Sequence, residues 1–367
     1  VFLRPLGLRL KVCPYSAIIN QKRPCEKACK IKAISMSSEE HRAAHIDNEK
    51  CISCGACVYQ CPFGAIVDKS FILDAVNLIK GSHENQDYKV YAVVAPSISS
   101  QFSYAKLGQV ITGIQRLGFY HVIEAALGAD MVAYKEAAEL AEKGFLTSSC
   151  CPAFVSYIKK NFPTMVDKIS HNLSPAAEIS RYIKETTPGA KVVFIGPCAA
   201  KKLEASRRSV RSEVDFVLTF EELRGMFAAK DIDFSQIPDT EAHYKASAPG
   251  VGFAASGGVA KAVEKVIQTK NPDREVKTVY AEGLRACRQM LRVARSGKYD
   301  GYLLEGMACP GGCIAGAGTV QPPEKSRRML EQYKARAALD NPLDSEYMED
   351  IELLYEDPEN WDRVSRH

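Results

Sequence analysis

The chain has 367 residues, 46% of them hydrophobic and 25% charged, with a net charge of +4. That length supports two or three domains with a sizeable core, no stretch approaches the ~20 apolar residues of a membrane span, and the charge is too small to point to nucleic acid. What departs from the ordinary is the cysteine count, 13. An odd number, clustered, with no secretory signal, argues for metal sites in a reducing cytoplasm rather than for disulfides.

The first clusters lie near the N-terminus. Cys51-x2-Cys54-x2-Cys57-x3-Cys61-Pro62 is the ferredoxin run, in which three close cysteines wrap one cubane and the fourth serves a neighbouring cluster. Zinc sites use separated pairs instead. Upstream, Pro24-Cys25-x3-Cys29 looks like the end of a matching run. By cross-ligation, Cys29 completes the [4Fe–4S] set of Cys51, Cys54 and Cys57, while Cys61 joins Cys25 and Cys13 in a second cluster. That second set lacks a fourth ligand. It could lie upstream of Val1 or be a non-Cys residue, or the site could be a three-iron cluster or empty; His41 and His45 are the nearest histidines, and the surface is their plainer place. Residues 1–70 carry 11 Lys and Arg against 6 Asp and Glu. A solvated basic face accounts for that, with docking of an acidic protein as the alternative.

After a helix over 71–80 and a linker over 81–87, strand and helix signals alternate. Val90–Val94, Tyr120–Ala125, Lys191–Ile195, Asp215–Leu218 and Tyr299–Leu304 read as strands. Helices are expected over 103–117 and 130–143, after the capping box Thr219-Phe-Glu-Glu222, and after Gly252-Phe-Ala-Ala-Ser-Gly-Gly258, where Val259, Val263 and Val266 share one side. Alternation of this kind predicts an α/β domain with a largely parallel sheet, its ligands outside the carboxyl ends of the strands. The Pro96, Cys198 and Cys309 segments each follow a strand and could converge there. From Gln321 the composition shifts to Pro322-Pro323 and two charged helical segments over 326–338 and 345–355. The expected organisation is a ferredoxin-like domain (1–80), an α/β catalytic domain (88–320) and a helical tail (321–367).

Three further cysteine motifs lie in the middle and late chain: Thr147-Ser-Ser-Cys-Cys-Pro-Ala-Phe154, Gly196-Pro-Cys-Ala-Ala-Lys-Lys-Leu-Glu204, and Met307-Ala-Cys-Pro-Gly-Gly-Cys313. Alone, the last reads either as two thiolates on a glycine-rich loop suited to an iron–sulfur cluster or as a turn with two buried free cysteines. Together and in order, the three resemble the signature motifs of the [FeFe]-hydrogenases. The resemblance spans nearly the whole chain, including a fused tail like the family's small subunit. It implies two lobes of largely parallel sheet with flanking helices and the cluster between them, plus a small α+β ferredoxin-like domain.

By that resemblance, Cys151, Cys198, Cys309 and Cys313 hold the [4Fe–4S] part of an H-cluster. Cys313 also bridges to a two-iron subsite carrying CO, cyanide and a dithiolate amine. Lys201 and Ser97 face the cyanides, and Pro96, Phe253 and Met307 line the site. Cys150 matches the proton-relay thiol, continued by Glu136, Glu139 and Ser170. For the glutamates a solvated helix face is the plain alternative, and Phe253 and Met307 alone would read as core. Cys287 matches no ligand position and reads as a buried apolar residue. The chain also departs from the common motifs. Ser148-Ser149 replace a single serine, Ala153-Phe154 stand for Gly-Trp, Gly196 stands where the best-studied enzymes carry Met, and the last motif ends Gly-Ala-Gly-Thr-Val320. These departures resemble the less studied branches of the family.

The implied activity is the reversible conversion 2H⁺ + 2e⁻ ⇌ H₂, with electrons entering from a ferredoxin-type donor and the two-iron unit supplied by maturation proteins. A sensory hydrogenase-like protein is the alternative from another class. Such relatives often carry an added signalling domain or lack the relay cysteine, and Cys150 is present here. An iron–sulfur assembly factor ranks third, because it has no need of Lys201, Met307 and Cys150 together.

Overall fold

The computed structural model describes residues 22–36, 43–208, 210, 212–238, 245–345 and 347–348. The N-terminal module is small: α1 (Pro24–Ala28), the antiparallel pair β1 (Ile34–Met36) and β2 (Ala44–Ile46), and α2 (Ala56–Tyr59). Cys13 and His41 lie outside the described residues, and His45 is exposed. Helix α3 (Ile72–Gly81) then leads into the main body.

Two parallel sheets build that body. The larger has the order β4-β3-β6-β7, from β3 (Val90–Val94), β4 (His121–Glu124), β6 (Lys191–Gly196) and β7 (Phe216–Thr219). The smaller has the order β5-β9-β8, from β5 (Leu146–Thr147), β8 (Lys277–Glu282) and β9 (Tyr302–Met307). Every residue of β3 is buried, which is why Val-Tyr-Ala-Val-Val reads as one continuous apolar run rather than an alternating one. The fold is therefore α/β with largely parallel sheets and flanking helices.

Helices fill the space around and between the sheets. They are α4 (Leu107–Arg116), α5 (Ala125–Lys143), α6 (Pro152–Asn161), α7 (Pro175–Thr186), α8 (Ala199–Ser206), α9 (Phe220–Ala229), α10 (Ala248–Gly252), α11 (Gly258–Lys270), α12 (Gly283–Ala294) and α13 (Pro323–Lys334). Helix α5 packs on both α7 and α11. Its approach to α7 depends on Gly128, where an added Cβ would stand 2.1 Å from the Pro175 carbonyl oxygen.

Some boundaries differ from the sequence expectation. Helix α5 starts at Ala125 rather than Asp130, because Ala125 to Ala129 continue its buried face. The strand expected from Tyr299 starts at Tyr302 and runs on to Met307, carrying the backbone up to Cys309. In the tail, α13 spans Pro323–Lys334, and of the segment expected over 345–355 only Ser345, Tyr347 and Met348 are described. The thiol of Cys287 is fully buried and donates weakly to the Ala281 and Met307 carbonyls, both at 3.5 Å.

Candidate active site

Past the carboxyl ends of β3 and β6 in one sheet, and of β5 and β9 in the other, the chain encloses a largely apolar cavity. The position is that expected of a ligand site in a parallel sheet. Cys151, Cys198, Cys309 and Cys313 all line it, as do Cys150, Ser97 and Lys201, and Pro96, Phe253 and Met307 complete the wall. Among the described residues, no three Cys, His, Asp or Glu side chains converge as a single-ion site. The four thiols stand around the walls of this space, which is partly open to solvent.

Local sequence explains how each thiol is held. Cys151 and Cys198 are the N-caps of α6 and α8, and Pro152, at the first turn of α6, is pre-set for a helix start. Cys309 and Cys313 sit on either side of Gly311 and Gly312, whose φ values are +91° and +90°. A Cβ on Gly312 would stand 2.6 Å from the Ser256 amide nitrogen, so only glycine lets this loop close against the 253–258 segment. Two backbone bonds lock that contact: Ser256 N–H to the Gly311 carbonyl, and Ile314 N–H to the Ala254 carbonyl, both at 3.2 Å.

Burial pushes the Cys198 thiol up to about 11, and raises Cys151, Cys309 and Cys313 as well. Such thiols ionise only against positive charge, which iron supplies. Lys201 provides some. Burial pulls its ammonium down, but Glu204, at 2.7 Å, outweighs that and holds it charged. Glu204 is itself steadied by the Ser174 hydroxyl at 3.1 Å. Ser97 is fully buried in the 3₁₀ turn after β3, and its hydroxyl has no partner within the protein. An orphaned hydroxyl on an apolar wall, four soft donors and a charged lysine fit an iron–sulfur group with polar ligands of its own.

From Cys150 a polar file leads outward. Its Sγ lies 4.0 Å from the Ser148 hydroxyl. Ser149 donates to Glu136 Oε1 from its amide at 3.2 Å, while its hydroxyl donates to the Asn172 carbonyl at 2.7 Å and lies 3.5 Å from Glu136 Oε1. Ser170 donates to Glu139 Oε2 at 2.9 Å, and Asn172 donates to the same oxygen at 2.8 Å. Glu139 then meets Lys143 at 2.6 Å, beside the exposed His171. Burial lifts Glu136 to about 7, against the pull of the Ser149 amide and Ser170. Burial, reinforced by Glu136 and Glu305, also raises the Cys150 thiol.

Two residues of this site carried no assigned role in the sequence. Ser149, read there as a departure from the common motif, is the one that touches Glu136. Glu305 is fully buried within β9 and accepts the Gly257 amide at 2.7 Å and the Ala260 amide at 2.9 Å, tying β9 to the start of α11. No sequence pattern separates such a carboxylate from a surface one.

In the N-terminal module, Cys54 is pushed up to about 11 by burial and then by Cys57, Cys29 and Cys51, so these four share one neighbourhood. Cys54 also lines the main cavity. Cys25 is buried; Cys61 accepts the Ala65 amide at 3.2 Å, and the surrounding backbone amides hold its thiol below the ordinary range. Cys13, the remaining member of the set with Cys25 and Cys61, lies outside the described residues.

Residues 88–317 match the family described as "Iron only hydrogenase large subunit, C-terminal domain", and residues 44–67 match a 4Fe-4S binding domain. The chain belongs to the iron-only hydrogenase large-subunit family and carries an iron–sulfur-binding segment ahead of it. It is 28% identical to the NADP-reducing hydrogenase subunit HndD of Solidesulfovibrio fructosivorans, over 73% of this chain and 55% of that one. It therefore spans about half the length of that relative. The periplasmic [Fe] hydrogenase large subunit of Nitratidesulfovibrio vulgaris is 27% identical, over 74% of this chain and 85% of its own length. The probable cytosolic Fe-S cluster assembly factor oxy-4 of Caenorhabditis elegans is 25% identical, over 95% and 86%. In fold, the chain is similar to [FeFe]-hydrogenase HydA1 from Chlamydomonas reinhardtii, with a TM-score of 0.65 at 20% identity, covering 78% of this chain and 95% of that one. No helix among the described residues is long and apolar enough to cross a membrane.

Proposed function

We propose that the chain is a catalytic [FeFe]-hydrogenase, interconverting 2H⁺ + 2e⁻ and H₂ in the cytoplasm. Cys151, Cys198, Cys309 and Cys313 would hold the H-cluster, which supplies the redox centre where protons and electrons combine. Ser97 and Lys201 offer hydrogen-bond donors to its cyanides, and Pro96, Phe253 and Met307 keep water from the rest of the wall. Cys29, Cys51, Cys54 and Cys57 would hold the [4Fe–4S] cluster that passes electrons in from a ferredoxin-type donor. Cys13, Cys25 and Cys61 are assigned to a second cluster.

One observation carries the choice of an enzyme over a sensor or an assembly factor: the polar file that leaves the cavity at Cys150 and ends at Lys143 and His171. Binding a cluster needs the four thiols alone. Turnover needs protons delivered, and a thiol at the wall, a buried carboxyl near neutrality and a second carboxylate nearer the surface suit that task. In this reading Cys150 Sγ holds the proton at the cavity, the buried Glu136 near it takes it up, and Ser170 and Glu139 pass it towards solvent.

The test is infrared spectroscopy of protein matured without oxygen, beside H₂ evolution from a reduced dye. Metal-bound CO and cyanide bands with steady H₂ production are expected. Bands with only trace turnover would favour the sensor, and full cubane content without bands would favour the assembly factor.

A further inference from the structure

Lys201 and Lys202 are neighbours on α8, about 100° apart around the helix, and they serve different ends. Lys201 lines the cavity. Lys202 is buried on another side, where its ammonium lies 2.7 Å from Asp68 Oδ2 and 2.8 Å from Glu222 Oε2 and donates to the Lys69 carbonyl at 2.8 Å. Glu222 also accepts the Phe71 amide at 3.2 Å. Residues 68–71, where the chain leaves the iron–sulfur module, are thus fastened to the helix that starts at Cys198.

The other end of the same stretch is fastened in a matching way. Lys160, near the end of α6, donates to the carbonyls of Asn48 and Cys51, both at 2.8 Å. Cys151 is the N-cap of α6. Between the two grips, Ile52 is buried in one core with Phe154, Ala200 and Ala308. Gly55 lies so close that a Cβ would stand 2.5 Å from Ala317 and 3.2 Å from Ala199. Cys54 reaches the cavity that Cys309 lines.

We propose that Lys160 and Lys202 are positioning residues that seat the module's cysteine run against the cavity wall and so set the path for electrons from Cys54 to Cys309. Each lysine stands on a helix whose N-cap is a cavity cysteine, so each grip is referred rigidly to the cluster that receives the electron. Tunnelling falls off exponentially with the gap, and a module held only by its covalent linker would not keep that gap fixed. Buried ion pairs add little net stability but do specify geometry, the role Lys202 takes with two carboxylates.

This inference rests on the reading that the module feeds the cavity, but its test needs neither H₂ turnover nor the two-iron unit. Full-length chain reconstituted with iron and sulfide is compared as wild type, Lys202→Met, Lys160→Met and the double variant, with Lys50→Met as control. The exposed ammonium of Lys50 pairs with Asp47 inside the module, not with the carbonyls that Lys160 holds or with residues 68–71. Two readouts are taken: magnetic coupling between the reduced cubanes, and hydrogen exchange of the 68–71 amides, the second measurable on metal-free chain as well. The double variant is expected to lose the coupling and to exchange those amides at least tenfold faster, at unchanged iron content. Should Lys202→Met not fold, Asp68→Asn releases only the linker side and carries the same expectation. Retained coupling and protection in the variants, or equal losses in Lys50→Met, would overturn the proposal.

Discussion

Ser149 donates its amide to Glu136 Oε1 at 3.2 Å, while the other oxygen of that carboxylate, Oε2, is buried and meets no donor. An ionised carboxylate in that place would be a buried charge with one oxygen left unpartnered. The protonated acid fits it better, which is why its pKa sits near the pH at which a proton carrier is most useful.

Replacing Glu136 separates these effects. Its pKa is lifted from 4.5 to about 7, so the folded chain binds this proton more tightly than the unfolded chain does. Ionising Glu136 therefore costs stability; the cost is absent below the unfolded value and complete above about 7, at roughly 3 kcal/mol. Glu136→Gln should flatten the fall in Tm across that window in metal-free protein. In matured protein it should cut H₂ turnover by about a hundredfold, the lower range of general acid–base effects. Identical pH slopes for variant and wild type would mean that Glu136 is not held protonated.

Cys150→Ala leaves all four cluster thiols in place. Iron content and the infrared bands should match wild type while turnover falls by about two orders of magnitude or more. A variant with unchanged rates would remove Cys150 from the proton file.

Ser97→Ala deletes a buried hydroxyl with no protein partner. Metal-free protein should lose nothing and could gain about 1 kcal/mol, because an unsatisfied polar group is removed. Matured protein should show a shifted cyanide band. Destabilisation of the metal-free form, read by thermal melting, would contradict the orphaned hydroxyl.

Gly312→Ala places a Cβ 2.6 Å from the Ser256 nitrogen at a φ of +90°. The combined strain is on the order of 2–3 kcal/mol. Iron analysis should show loss of the cavity iron with the module's iron retained. Full iron at both sites would show that the loop can open without consequence.

The sequence made the site more legible than the scaffold. Cysteine spacing carries its own chemistry, so the positions of Cys151, Cys198, Cys309 and Cys313 stood out before any coordinates, and continuous apolar runs such as Val90–Val94 marked the buried strands. Residues 146–147 did not: two residues hold no period, and only pairing with Leu303 and Leu304 makes them a strand. Helices α6 and α8 were hidden behind the cysteine motifs that begin them. Lys201 and Lys202 are chemically identical and differ only by the turn of a helix, so the sequence singled out one through its motif and passed over the other. Ser149 carried its signal as an irregularity, an extra serine that became meaningful once Glu136 lay beside it.

Cys151 and Cys198 each cap a helix, and although burial raises both thiols, the amides of Ala308, Phe154 and Ala153 on Cys151 and of Lys201 and Ala200 on Cys198 pull against it. Hydrogen bonds of this kind drain negative charge from a cluster sulfur. If these thiols hold a cubane, as proposed, the two helix starts would favour its reduced form and raise its midpoint potential above that of a cubane held by loops alone. The first turns of α6 and α8 become part of the redox circuit. A proline placed at Ala153 or Ala200, silent as far as metal ligation goes, would register as a drop in voltage.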